Sequence, residues 1–151
     1  MVRVAASVLA SAAIVAGCGA SDGPTPASTD LSVGGTYSTA VTLTQNTCGA
    51  ITVQTNVTTV THTPGATTLT VTHAGNSYTG TVQRNGSFST TPKPIVAGTE
   101  THTLTIAGTF TTTAVDATVS AAVQRAGAAN CDYTVKWAGP KQGAPNVIPG
   151  A

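Results

Sequence analysis

From residue 35 to residue 138 the chain alternates. Apolar side chains occupy every second position and Thr or Ser fills the gaps, as in Val41/Leu43, Ile51/Val53, Leu69/Val71, Leu104/Ile106, Val115/Val119/Val123 and Tyr133/Val135/Trp137. Period two with one polar face predicts antiparallel strands that bury one side. Thr makes up 31 of the 151 residues, and its β-branched, polar side chain suits the solvated face. No helical stretch competes strongly: the run from Ala114 to Ala129 is Ala-rich, but Val115, Val119 and Val123 fit the strand phase. Eight strands are expected, at about 36–45, 51–62, 67–74, 77–83, 87–91, 100–112, 115–125 and 131–138.

Turn chemistry sets the expected register, because a hairpin must place apolar residues opposite apolar ones. Pro64-Gly65 at the centre of a turn pairs Val60 with Leu69. Gly75-Asn76 as a type II′ turn pairs Leu69 with Val82, and His73 with Tyr78. At Asn85-Gly86 a two-residue loop would set Phe88 against Gln83. A three-residue loop, Arg84-Asn85-Gly86, pairs Val82 with Phe88 instead. Three turns thus build one apolar row of Val60, Leu69, Val82 and Phe88. A fourth turn at Thr113-Ala114 pairs Phe110 with Ala117 and Leu104 with Val123.

The fold class expected is all-β: an eight-stranded antiparallel up-and-down barrel, with a flattened barrel or a β-sandwich as alternatives. Call the end where the first strand finishes the top. With an even strand number, Cys48 in the first top loop and Cys131 at the start of the last strand lie at the same end, on neighbouring strands. A disulfide between Cys48 and Cys131 is therefore expected in an exported protein. It would close a loop of about 83 residues, for roughly 4–5 kcal/mol by chain entropy. Tyr37 and Trp137 both fall at the bottom by this count, as a plug. An immunoglobulin sandwich would carry its Trp between the two Cys residues, and Trp137 follows both.

The flanks read differently. Met1-Val2-Arg3 is a short basic start, and Val4 to Val15 an apolar run too short to span a bilayer, as in a signal peptide. The run ends in Val15-Ala16-Gly17-Cys18, which resembles the lipobox of bacterial lipoproteins: an aliphatic residue, two small residues, and the Cys that is lipidated. The resemblance covers about the first eighteen residues. It implies removal of residues 1–17, lipidation of Cys18, and a cell-envelope protein held on a bacterial membrane, at a periplasmic or extracellular face. Several acyl chains make a durable anchor, at about 0.8 kcal/mol per buried methylene. Residues 18–34 then form the lipidated Cys and a flexible Gly/Pro/Ser/Thr tether, 35–138 the barrel, and 139–151 a flexible tail. Since the tether enters at the bottom, the mouth faces away from the membrane. Gly35-Thr36-Tyr37 at the start of the first strand is similar to the lipocalin-like Gly-x-Trp opening. Here Tyr replaces the Trp, which sits on the last strand, so the likeness implies architecture alone.

Charge narrows the function. Only 7% of residues are charged and formal net charge is +1. No basic face exists for nucleic acid. Asp and Glu total 5, too few for paired carboxylates on the inner face, and no Gly-x-Ser-x-Gly elbow occurs. A non-enzymatic protein without a cofactor is expected. His62, His73 and His102 share the apolar phase, but His62 falls at the bottom and the others at the top. No common metal site follows. The inner phase is poor in bulk, with Ala117, Ala121, Gly80 and Gly108. Native packing density is hard to reach with such residues, so a cavity for a small apolar ligand is expected at the top. Its candidate lining is His73, Tyr78, His102, Leu104 and Ile106, with Lys93 in a covering Pro-rich loop, Thr91-Pro92-Lys93-Pro94. The alternative is a packed barrel that binds or inhibits an envelope protein. Lysozyme-inhibitor lipoproteins have this size, anchor and disulfide, but their Ser-Gly-x-x-Tyr segment is not matched at Ala74-Gly75-Asn76-Ser77-Tyr78.

Overall fold

The computed structural model describes residues 29–150, so Cys18 and the leader lie outside the described residues. The described residues are all-β. The strands are β1 (Gly35–Asn46), β2 (Asn56–Thr61), β3 (Thr68–His73), β4 (Asn76–Val82), β5 (Ser87–Thr90), β6 (Lys93–Ala97), β7 (Glu100–Phe110), β8 (Ala114–Arg125) and β9 (Cys131–Gln142). Every pairing is antiparallel, and consecutive strands pair except β5 with β6. Pairing of β1 with β9 and of β5 with β7 closes an eight-stranded, lipocalin-like up-and-down barrel.

The additional strand, β6, continues the course of β5. Both pair with β7, β5 at Ala107–Thr109 and β6 at Glu100–Leu104. The register slips by one residue between them, across Thr91-Pro92. Pro92 has no N–H to give, which suits a break in the ladder. Above the break β6 forms no ladder with β4 and keeps one open edge, where Pro94 is tolerated. Lys93 spans the resulting gap: its Nζ donates to the Ser77 carbonyl at 2.9 Å. The expected covering loop at 91–94 is thus corrected to a strand that flanks the mouth.

The turns explain the register. At Arg84-Asn85-Gly86 the three-residue loop forms as expected, with Gly86 at φ 86° and Val82 opposite Phe88. The β3–β4 turn is centred one residue earlier than expected, on Ala74 (φ 46°) and Gly75 (φ 77°). Two positive φ values are the type I′ pattern that matches strand twist. His73 therefore faces Asn76, and Val71 faces Tyr78. Val60 faces Val71 rather than Leu69, and Phe110 faces Val115 rather than Ala117. Each of these slips is two residues, so every side chain keeps its face. Val60, Leu69, Val82 and Phe88 are all buried in the core.

The ends of the chain need two corrections. Leu31 and Val33, expected in a loose tether, are buried, and Ser32 pairs with Val147 through hydrogen bonds of 2.9 Å in each direction. Residues 139–142, expected in a flexible tail, complete β9. Gly139 and Pro140 read as tail chemistry, yet they mark a crowded crossing. A Cβ on Gly139 would lie 1.9 Å from the Ser38 carbonyl oxygen, and the β1–β9 ladder skips the facing pairs there. The longer β9 moves Trp137 from the bottom to mid-barrel, between Val41 of β1 and Ala117 of β8. Tyr37 does lie at the bottom. Its ring packs on Phe110 (5.6 Å between centroids), which stacks on Phe88 at 4.5 Å.

The floor is also tied by polar groups. The Tyr37 phenol lies 2.7 Å from the Val33 carbonyl and 2.8 Å from Asn146 Oδ1, sharing its proton between them. Asn146 Nδ2 donates to the Thr111 carbonyl at 2.7 Å, which fixes the orientation of its amide. Burial pushes the phenol up to about 12, so it stays a donor. At the opposite end Cys48 and Cys131 form a disulfide with a Cα–Cα distance of 5.0 Å, as the even strand number requires.

Candidate functional site

The upper half of the barrel holds a cavity of about 310 Å³. Its walls come from the inward phase of the strands: Val41, Leu104, Ile106, Val119, Val135 and Trp137. Tyr78 and Tyr133 stand higher on opposite walls, and His73 and Ala74 close the β3–β4 corner. Ile51, Thr52, Val53 and Gln54 reach over it from the loop between β1 and β2. That loop was expected to be strand from residue 51. Pairing begins only at Asn56, so the alternating Ile51 and Val53 cover the cavity instead of extending the sheet.

The loop is held at its start. Thr47 N donates to the Asp132 carbonyl (2.9 Å), Asp132 N donates to Thr47 Oγ1 (2.8 Å), and the disulfide follows at Cys48. Arg125 Nη2 donates to the Cys48 carbonyl at 3.0 Å, while its Nε lies 2.8 Å from Glu100 Oε1. Glu100 also meets His102: Nε2 donates to Oε2 at 3.2 Å. The other ring nitrogen, Nδ1, faces the Tyr133 hydroxyl at 3.5 Å. A rim of charge therefore ties the loop to β7 and β8.

Among the expected lining residues, His73, Tyr78, Leu104 and Ile106 line the cavity. Lys93 and His102 do not. Lys93 lies on the outer side of the Tyr78 ring, 5.5 Å from its centroid, and His102 belongs to the rim cluster. Besides Val41, Val119, Tyr133 and Val135, reasoning from the sequence missed Trp137 and the residues 51–54. The β9 extension was the missing signal for the first, and the stapled Cys48 for the second. His62 sits at the floor with both nitrogens engaged, Nδ1 accepting from Val33 N at 3.4 Å and Nε2 donating to the Ala66 carbonyl at 2.9 Å. No group of three or more His, Cys, Asp or Glu among the described residues is placed to hold a metal ion.

The cavity lining contains no Asp, Glu, Lys or Arg. Its titratable groups are driven toward their neutral forms. Burial lowers the His73 pKa, and raises those of Tyr78 and Tyr133, with Tyr133 adding to the rise at Tyr78. An ion entering here would lose its water without gaining a counter-charge.

A buried hydroxyl chain fixes the state of His73. Thr39 Oγ1 donates to the Asn56 carbonyl at 2.6 Å, which uses its only proton. The 2.8 Å contact between Thr39 and Thr58 must then be donated by Thr58. Thr58 has no second proton, so its 3.0 Å contact with His73 Nδ1 is donated by the imidazole. Thr39 and Thr58 are 0% and 1% exposed, so these bonds are shielded from bulk solvent. His73 is thereby held as the Nδ1–H tautomer, with Nε2 as an acceptor. The same direction denies Thr58 a base: its partner nitrogen is a donor, and its proton points toward Thr39. The Thr–His contact is not a nucleophile–base pair.

No protein-family model, curated protein or solved structure matches this chain.

Proposed function

We propose that this chain is a non-enzymatic cell-envelope lipoprotein whose barrel binds one small, uncharged apolar molecule. The observation that carries the binding is the cavity: about 310 Å³, walled by aliphatic and aromatic side chains, with no formal charge in its lining. This is the lower end of the range for ligand pockets. It is roughly twice the size of an apolar cavity that holds benzene, so a ligand of roughly a dozen non-hydrogen atoms fits. The disulfide accords with an oxidising compartment. The N-terminal segment packs at the floor, which leaves the mouth directed away from a membrane to which Cys18 would be anchored.

Fluorescence of the uncharged probe N-phenyl-1-naphthylamine tests the binding. Emission should rise saturably with the wild-type protein and not with Val119→Phe, which fills the cavity. Equal enhancement by both proteins, or none by the wild type, contradicts the proposal. Labelling with radioactive palmitate tests the anchor, and should vanish in Cys18→Ser. A protein partner would instead draw on the open edge of β6, where Val96 is 74% exposed. Small-molecule binding requires that Val96→Lys leave probe affinity unchanged.

A further inference from the structure

We infer that the ligand presents a neutral hydroxyl, as in a phenol or an apolar alcohol, to a donor–acceptor pair formed by Trp137 and His73. The inference rests on the ligand-binding reading above and specifies its chemistry.

Trp137 supplies the donor. It is 2% exposed and lines the cavity, and its Nε1 finds no acceptor among the described residues. Buried donors are nearly always satisfied, and leaving one unmade costs about 1–3 kcal/mol. Neighbouring backbone does not meet this need, since the flanking strands spend their carbonyls on the β1–β9 and β8–β9 ladders. An acceptor brought by a ligand would.

His73 supplies the acceptor. The proton chain from Nδ1 through Thr58 and Thr39 to the Asn56 carbonyl leaves Nε2 with its lone pair. Nothing among the described residues donates to it. The imidazole meets the indole edge to face, with ring centroids 4.7 Å apart, and both rings line the cavity.

One group serves both nitrogens: a hydroxyl accepts from the indole N–H and donates to Nε2. A carboxylate could accept from Trp137 but would oppose the lone pair of His73, with no cation in the lining to offset its charge. An ammonium would leave the indole unmet. A hydrocarbon would fill the space and satisfy neither group.

Calorimetric titration of the full chain at pH 7.5 with three probes of one shape tests this. 2-Naphthol should bind about tenfold more tightly than naphthalene, the gain of a hydrogen-bond pair, and 2-naphthoate should bind weakest. Trp137→Phe should bring naphthol to within about threefold of naphthalene. The chain has one tryptophan, so its single indole N–H resonance gives a second reading on the wild type. Naphthol should move that resonance downfield and naphthalene should not. Equal affinities for naphthol and naphthalene, the same resonance shift with both, or tightest binding of naphthoate overturns the inference and leaves the cavity reading standing. Binding of none of the three overturns both.

Discussion

The two halves of this barrel are built from the same strands and do opposite things. Below Ala117 and Trp137 the inner phase carries Tyr37, Phe88, Phe110 and Val115, and the N-terminal Leu31 and Val33 fill what remains. Above, the same strands contribute Leu104, Val119 and Val135, and space is left between them. Aromatic content does not separate the halves, since Tyr78, Tyr133 and Trp137 stand in the upper one. The difference is in what the rings touch. The lower rings stack on one another, while the upper rings meet histidines: His73 on Trp137 and His102 near Tyr133. Rings that pair among themselves close a core, whereas rings held apart by polar neighbours wall a site.

Truncation should expose that contrast. Phe110→Ala removes the ring that bridges Tyr37 and Phe88, and should cost about 3–5 kcal/mol in urea unfolding. Loss of about 1 kcal/mol would mean the floor is not packed as described. Next in size is the clasp. Reducing Cys48–Cys131, or replacing both with Ala, should cost roughly 2–4 kcal/mol. The loop at 51–54 should also gain amide exchange, while protection at the floor around Tyr37 persists.

Alkali should act most strongly on the floor, with smaller contributions from the raised phenols of Tyr78 and Tyr133. The Tyr37 phenol titrates at about 12 in the folded chain against 10 when exposed. The unfolded chain therefore releases this proton first, and folding stability falls as pH rises above 10. Tyr37→Phe should flatten that slope to what Tyr78 and Tyr133 leave, at a cost of about 1–2 kcal/mol at neutral pH for the lost hydrogen bonds. Acid should act on the upper half. The folded pKa of His73 lies below the ordinary 6.5, so the unfolded chain binds its proton first. The contribution is intact above pH 6.5 and is lost as pH falls below it. A His73→Gln variant should show a flatter acid limb in thermal unfolding, and an unchanged limb would place the titration elsewhere.

The smallest effect separates the halves most cleanly. Val115→Ala in the floor should cost about 2 kcal/mol. Val119→Ala, on a wall that already faces space, should cost less than about half as much. Similar losses would mean that both sites are equally packed.

These halves were unequally legible in the sequence. Alternation from Val41 to Trp137 carried the strand count of the closed barrel, and with it the meeting of Cys48 and Cys131. Facing survived even where pairing did not. Val60 opposite Val71 rather than Leu69 is a two-residue slip, and a period of two is blind to it. The floor was hidden because Leu31 and Val33 are isolated apolar residues in a Gly- and Pro-rich stretch, and such positions carry no period. Gly139-Pro140 misled for a different reason: turn residues also occur where two backbones crowd, and only the partner strand distinguishes the cases. At the site, His73, Tyr78, Leu104 and Ile106 were placed by phase. Trp137 was not, because its height depends on where β9 ends. The cover was assigned to the wrong loop, since Pro92 and Pro94 suggested irregular chain and Ile51/Val53 suggested a strand. Sequence pattern sets which face a residue takes far better than how far along the barrel it sits.

Diffraction from crystals pressurised with xenon tests the contrast most directly, because xenon occupies apolar space large enough to hold it and no other. Xenon should appear in the upper half, among Leu104, Val119, Val135 and Trp137, with none between Tyr37, Phe88 and Phe110. Xenon in the floor, or an upper half that takes up none, would contradict a barrel that is closed below and open to a ligand above.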